Sequence, residues 1–256
     1  MTELCVATWN IGSLYADYDT AYPLLRQVIS QYRPGVLCMQ EMPMQQSLID
    51  DICKWGNYSF TVTKTTSESH INKGKDMGIA VFSQYPLGEP TLLPLEKPDR
   101  EIFYKEKQEY WHDKWFLSVP LFPEHGSPVS QIQVITGHGF PFHRYGLEKP
   151  EETNLIAPSL ARVDRWVSET LQQTPAIPVL IAADFNITDP TAYMPRCRQC
   201  MTDVFRHQFT RPFGRKTDAI FLPRNAVVTN TMNWISPQRD GSYLFDHNFI
   251  AAYWAL

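Results

Sequence analysis

Asp184 and Asn186 stand two residues apart at the end of an apolar run, Val179-Leu-Ile-Ala-Ala-Asp-Phe-Asn186. Side chains alternate along a strand, so on an extended backbone both point to one face and can share a ligand. A carboxylate able to handle a proton, beside an amide able to donate to a phosphate oxygen, suits phosphoryl chemistry. The same pair also suits an Asx-type turn closing the strand, and its spacing alone leaves both readings open. Three other stretches share this build: Leu4-Cys-Val-Ala-Thr-Trp-Asn10, Gly35-Val-Leu-Cys-Met-Gln-Glu41 and Phe245-Asp-His-Asn248. Taken singly, Asn10 suits a turn before Ile-Gly, and Glu41 suits a cap on a helix starting near Pro43. Asp246 and His247 are neighbours, so a regular strand would turn them to opposite faces. If both serve one site, the chain must bend just before Phe249-Ile-Ala-Ala-Tyr-Trp254. Buried carboxylates are costly unless something offsets their desolvation, and in α/β proteins reaction centres gather at strand ends. The four stretches together read as one site assembled from distant segments.

The elements that must position these residues follow from apolar periodicity. Residues 20–33 place Leu24, Leu25, Val28, Ile29 and Tyr32 at helical spacing, and Pro34-Gly35 ends that helix. A second helix is expected from Gln45 to Trp55, with Leu48, Ile49 and Ile52 inward. A third spans 153–172, with Leu155, Leu160, Val163, Trp166, Val167 and Leu171 on one side. Short apolar runs predict strands at 58–63, 77–83, 89–95, 115–121, 130–136, 178–183, 217–222, 226–232 and 248–254. The turn-rich Pro-Glu-His-Gly-Ser-Pro joins the strands at 115–121 and 130–136. Mixed charge at Lys97, Asp99, Arg100, Glu101, Lys105, Glu106, Lys107 and Glu109 marks 96–113 as a solvated loop or edge. There is no short-period repeat and no linker-like stretch. Residues 1–256 therefore read as one α/β domain rich in strands.

Composition is that of a soluble globular protein, with 20% charged and 43% hydrophobic residues. A net charge of −4 excludes a polycation that would hold nucleic acid by its overall field, so such binding needs a local patch. No apolar run reaches the roughly 18–20 residues that cross a bilayer. The N-terminus has neither the basic nor the apolar region of a signal peptide, and a reducing, cytosol-like compartment is expected. The five cysteines are an odd number, and Cys5 and Cys38 lie within apolar runs as small buried thiols. Cys197-Arg-Gln-Cys200 is a single CxxC with only His207 nearby. That falls short of the four ligands of a structural zinc site and fits a local disulfide or two free thiols.

Read in order, the motifs are Thr8-Trp9-Asn10-Ile11, Gln40-Glu41, Met77-Gly-Ile-Ala-Val-Phe-Ser83, Thr136-Gly137-His138, Ala183-Asp184-Phe185-Asn186, Lys216-Thr217-Asp218-Ala219-Ile220-Phe221 and Asp246-His247. This series resembles the endonuclease/exonuclease/phosphatase superfamily, which includes deoxyribonuclease I, apurinic endonucleases, sphingomyelinases and inositol polyphosphate phosphatases. The resemblance implies a deoxyribonuclease I-like fold: a four-layer α/β/β/α sandwich of two mixed, mostly antiparallel sheets. It implies a phosphoesterase dependent on Mg²⁺, with Mn²⁺ able to substitute. Glu41 would be the main metal ligand, and Asn10 and Asp246 would complete the shell directly or through water. Asp184 would orient or deprotonate the attacking water, and Asn186 would hold a non-bridging oxygen. His138 and His247 would contact the scissile phosphate and spread its developing charge. Asp218 would orient a histidine.

The sequence departs from the family pattern in three places. Ala183 replaces a frequent Gly before the Asp, a small-for-small change. Phe245 replaces a frequent Ser before Asp246-His247, which removes a hydroxyl that could position that pair. Gly137-His-Gly-Phe-Pro-Phe-His-Arg144 is richer than the usual single His. There His143 and Arg144 are either substrate contacts or part of a loop stapled by Phe140 and Phe142.

Between Arg196 and Lys216, six basic residues face one acid, Asp203, and suggest a basic rim near the site that captures phosphate. Within it, Arg211 and Arg215 are the candidate substrate contacts. The expected partner is a phosphorylated substrate, nucleic acid first and a small phosphorylated molecule or lipid headgroup second, with no stable membrane insertion and no protein partner inferable. No Arg follows Asp184-x-Asn186 as in inositol phosphatases; Ile187-Thr188 stands there. No aromatic membrane-inserting hairpin of the sphingomyelinase type is present. A non-catalytic scaffold of this fold should have lost ligand positions, and Asn10, Glu41, Asp184, Asn186, Asp246 and His247 are all retained.

Overall fold

The computed structural model describes residues 3–14, 18–69, 74–99, 101–104, 107–123, 127–147 and 153–256. Two six-stranded sheets carry the fold. The first contains β1 (Glu3–Asn10), β2 (Val36–Pro43), β3 (Phe60–Glu68), β4 (Asp76–Ser83), β13 (Val227–Trp234) and β16 (Phe249–Ala255), in the order β13-β16-β1-β2-β4-β3. The second contains β5 (Thr91–Pro94), β8 (Trp115–Leu121), β9 (Ile132–Gly137), β10 (Val179–Asp184), β11 (Met201–Asp203) and β12 (Asp218–Pro223), in the order β11-β12-β10-β9-β8-β5. Each sheet has one parallel pair at its centre, β1/β2 or β9/β10, and antiparallel pairing elsewhere. Two small hairpins, β6 (Ile102–Tyr104) with β7 (Lys107–Glu109) and β14 (Gln238–Arg239) with β15 (Ser242–Tyr243), stand apart from the sheets.

The apolar runs have no polar face because both faces of each sheet are covered. Along β1, Leu4 and Val6 point into the core between the sheets, where they meet Leu117, Val119, Leu180 and Ala182 of the second sheet. The alternate residues Ala7 and Trp9 point outward to α1 (Tyr18–Tyr32) and α2 (Gln46–Gly56), against Leu25, Ile29, Leu48 and Ile52. Along β10, Val179, Ile181 and Ala183 face α3 (Thr153–Gln173) through Leu160, Val163 and Val167. These layers make the α/β/β/α sandwich.

The helices lie where periodicity predicts them. Arg33, at φ 40°, ends α1 in the left-handed region ahead of Pro34, and Asn57, at φ 56°, does the same for α2. Trp166 and Leu171 pack beside the core of α3 as predicted, while the side chain of Leu155 lies outside the described residues. Arg100, Lys105, Glu106 and residues 124–126 of the predicted turn also lie outside them.

One sequence expectation changes, and two open points are filled in. The 96–113 stretch is not simply a solvated loop: it forms the β6–β7 hairpin, and Glu109 receives Arg144 at 3.0 Å and Tyr145 at 2.9 Å. Residues 195–200 form a short helix, α4 (Pro195–Cys200), that the run of Arg and Cys did not reveal. All five cysteines are free thiols. Among the described residues, no helix is long and apolar enough to cross a membrane.

Candidate active site

Both parallel pairs end at the same mouth of the sandwich. Asn10 closes β1, Glu41 lies near the end of β2, His138 follows β9 and Asp184 closes β10. The antiparallel neighbours β12 and β16 begin there, bringing Asp218 and the segment Asp246-His247. The chain bends through 244–247, and both Asp246 and His247 line the resulting cleft.

The local backbone explains each placement. β10 stops at Asp184, and Asn186 adopts φ 55° while its N–H donates to Asp184 Oδ1 at 2.7 Å. The pair is thus an Asx turn and part of the cluster at once, and a turn rather than a strand face brings the two together. Asn10 behaves likewise, its Oδ1 accepting from Gly12 N–H at 2.9 Å. That bond fixes the amide orientation, so Nδ2 faces Asp184 Oδ2 at 2.8 Å and Glu41 Oε1 at 3.4 Å. Glu41 sits at φ 48°, where the register of β2 against β4 shifts, a conformation that non-glycine residues adopt only when their surroundings impose it. It lies five residues before the first residue of α2 and caps nothing.

Asp184 is fully buried, and burial pushes its carboxyl up to about 6 against the opposing pull of His247. His247 Nε2 lies 3.7 Å from Asp184 Oδ2 and 4.0 Å from Asp246 Oδ2, while Nδ1 is 3.0 Å from Asp218 Oδ2. Burial disfavours charge on this imidazole, but Asp218, Asp246 and Asp184 outweigh it and push it up to about 9. His138 Nε2 lies 3.4 Å from Glu41 and 3.7 Å from Asp184. The hydroxyl missing at Phe245 has a counterpart in Thr217, whose Oγ1 is 3.1 Å from Asp218 Oδ2 and 3.4 Å from His247 Nδ1. Phe245 itself packs against Trp9 at 4.6 Å.

The cleft above this cluster encloses about 930 Å³ and is lined by Glu41, Asn186, Asp246 and His247 on the side of the cluster. His143, Arg144, Arg211 and Arg215 also line it. Phe140 and Phe142 are buried beneath, so the 137–144 loop is stapled by its aromatics and still presents His143 and Arg144 to the cleft. His143 is pushed down to about 4, by burial first and then by Arg211. Arg211 donates Nε to the Asp246 carbonyl at 3.0 Å and pairs with the Asp246 carboxylate.

The basic segment does not form one rim. Lys216 is buried against Asp203 at 2.8 Å, and Arg198 belongs to α4, beyond the Pro223 end of β12. That end is about 17 Å from Asp218 along the strand. Sequence clustering misleads here because α4 and β11 intervene and carry the chain to the far end of the sheet and back.

One contributor was not legible beforehand. Buried Lys114 places Nζ 2.9 Å from His138 Nδ1 and 3.1 Å from Nε2, and burial brings its amine down to about 8 despite Glu41 and Asp184. The available signal was a single charge directly before the apolar strand at 115. Gln40 donates to Thr8 and Thr136, each at 3.0 Å, and so ties the two sheets together behind the cluster.

The donor set is one of hard oxygens, Glu41 and Asp246 opening on the cleft and Asp184 behind them, which fits a divalent cation of the Mg²⁺ or Mn²⁺ type. Asp184, Asp218 and His247 also bring ligand atoms within 4.8 Å of one another, but His247 Nδ1 is already held by Asp218.

Two mixed sheets packed face to face, with carboxylates and histidines at one mouth, define a deoxyribonuclease I-like phosphoesterase fold. The chain belongs to the Endonuclease/Exonuclease/phosphatase family, whose model matches residues 7–227. No curated protein matches it. Among solved structures it is similar to an endonuclease/exonuclease/phosphatase from Beutenbergia cavernae, with TM-score 0.71 and 17% identity, covering 100% of this chain and 72% of that one. It is also similar to the human Nocturnin catalytic domain with bound sulfate, with TM-score 0.70 and 15% identity over 99% and 94% of the two chains. A third likeness is to a mannosyl-6-phosphatase from Bacteroides thetaiotaomicron, with TM-score 0.68 and 13% identity over 99% and 100%.

Proposed function

We propose that this protein is a divalent-metal-dependent phosphoester hydrolase that cleaves phosphodiester bonds of nucleic acid. The observation that carries the reading is the convergence, from both sheets, of Glu41, Asp184, His138 and His247 on a cleft that also holds Arg211 and Arg215. Glu41, with Asn10 and Asp246, would hold the Mg²⁺ or Mn²⁺ ion, which when bound neutralises charge on the phosphate. Asn10 is buried with Nδ2 on Asp184 and Glu41, so it would act on the metal through those carboxylates or through its hydration shell. Asp184 accepts bonds from Asn10 and from Asn186 N–H, which fix its carboxylate as a base for water. His247, protonated and held by Asp218, presents Nε2 as a cation beside the phosphate as negative charge accumulates. His138, backed by Lys114, adds donors from the other side. Arg211 and Arg215 would meet flanking phosphates.

A second reading, a compact phosphorylated substrate, is favoured by the short basic surface and by the walling of the cleft by Gln108–Trp111 and His143–Tyr145. Turnover of plasmid DNA, single-stranded DNA, RNA and sugar or inositol phosphates with Mg²⁺, Mn²⁺ or EDTA separates the two. Glu41→Gln should abolish most activity with any substrate. Full activity in excess EDTA, or in that variant, rejects the metal site.

A further inference from the structure

The segment Phe209-Thr-Arg211-Pro-Phe213-Gly-Arg215 alternates aromatic and basic residues. Arg215 O receives the N–H of both Thr210 and Arg211 at 2.9 Å, which folds the segment into a closed arm with Phe213 near its tip. Thr210 is fully buried at the base of the arm. Its Oγ1 accepts the N–H of Thr217 and of Asp218 at 3.0 Å each, and its carbonyl accepts Asn248 N–H at 2.8 Å. The Phe209 carbonyl accepts Asn233 Nδ2 at 2.7 Å and Asn248 Nδ2 at 3.3 Å. The arm is therefore bolted to the same two strand ends that carry Asp218 and His247.

This anchoring holds the rings out of the core. Phe209 is 64% exposed and Phe213 62% exposed, although Phe213 meets Tyr243 edge-on at 5.1 Å. Exposed phenylalanines on a fixed backbone, next to arginines that line the cleft, suit a partner with flat apolar faces and phosphates. We propose that the 209–215 arm is a stacking platform for single-stranded nucleic acid leaving the cleft. Phe209 and Phe213 carry bases while Arg211 and Arg215 face the backbone. Unpaired bases offer a π-face whatever their identity, whereas a duplex hides those faces in its stack. The inference deepens the nuclease reading and rests on it.

The test is binding of a labelled single-stranded oligonucleotide of about twelve residues, followed by fluorescence anisotropy in EDTA, which needs no turnover. Phe209→Ala/Phe213→Ala should weaken Kd on the order of tenfold per ring removed, and Phe209→Trp/Phe213→Trp should keep it. The ratio of kcat/KM for the oligonucleotide to that for bis(p-nitrophenyl) phosphate should fall by the same factor. Oligonucleotide affinity within about twofold of wild type in the alanine variant overturns the proposal, as does an unchanged ratio. So does ring-dependent binding to phosphatidylserine vesicles without an effect on the oligonucleotide. A wild-type protein that binds single strands through these rings yet cuts no nucleic acid overturns the nuclease reading and leaves the platform. One that hydrolyses the small diester but does not bind single strands overturns the platform and leaves the metal-dependent phosphoesterase.

Discussion

Asp184 has no exposed surface, and each carboxylate oxygen is spoken for by Asn10 or by Asn186 N–H. As the base proposed for the attacking water, such a constrained group would contribute to the barrier more than to ground-state binding. Asp184→Asn and His247→Ala are expected to lower kcat by roughly 10²–10⁴-fold with KM nearly unchanged, measured by steady-state kinetics. A rise in KM with kcat preserved would assign both to substrate capture. His143 gives a separate test on stability. Its folded pKa of about 4 lies below the unfolded value near 6.5, so between those values the unfolded state binds more protons. Its contribution is complete above about pH 6.5 and is lost as pH falls toward 4. Urea denaturation across that window should show a shallower pH slope in His143→Asn than in wild type.

At the scale of elements, the site depends on turns where strands stop. Gly139 receives the Asn186 side-chain amide on its carbonyl at 3.1 Å, and its own N–H donates to the Asp184 carbonyl at 2.8 Å. A Cβ on Gly139 would stand 2.4 Å from the Phe185 carbonyl oxygen, which is backbone and cannot swing away. Gly139→Ala should therefore displace the Asp184–Asn186 turn, with kcat falling by up to about a hundredfold while circular dichroism keeps its folded signature. Wild-type kcat in this variant would mean that the turn tolerates displacement. The register shift at Glu41 belongs to the same scale, since it turns one carboxylate out of a strand whose other residues are sealed in the core.

At the scale of the molecule, the split of the basic segment sets where phosphates can be met. Arg215 lines the cleft, whereas Arg196 and Arg198 belong to α4, beyond the Pro223 end of β12. Arg215→Ala should raise KM for a nucleic-acid substrate and reduce the slope of log KM against log salt by about one released counterion. Arg196→Ala/Arg198→Ala should leave that slope at the wild-type value. Equal effects of the two changes would place a longer phosphate track around the second sheet.

Much of this was written in the chain itself. Apolar runs of strand length, helical periodicity at 20–33 and 153–172, and the polar residues closing four of the runs depend on neighbours in sequence, so they can be read without the fold. The order of the motifs gave the family and, through it, the sandwich. Tertiary structure alone decided what meets across the mouth. Asn10 finds Asp184 across 174 residues and Trp9 finds the His247 carbonyl across 238, separations that only the pairing order of the strands can close. It assigned to Thr217 the hydroxyl that Phe245 lacks, brought Lys114 against His138, and drew Glu109 out of a charged stretch onto Arg144 and Tyr145. It also carried Arg198 away from Arg211. Composition counts charges along a chain, but a charge acts through distance in space, and that distance is set by which strands lie side by side.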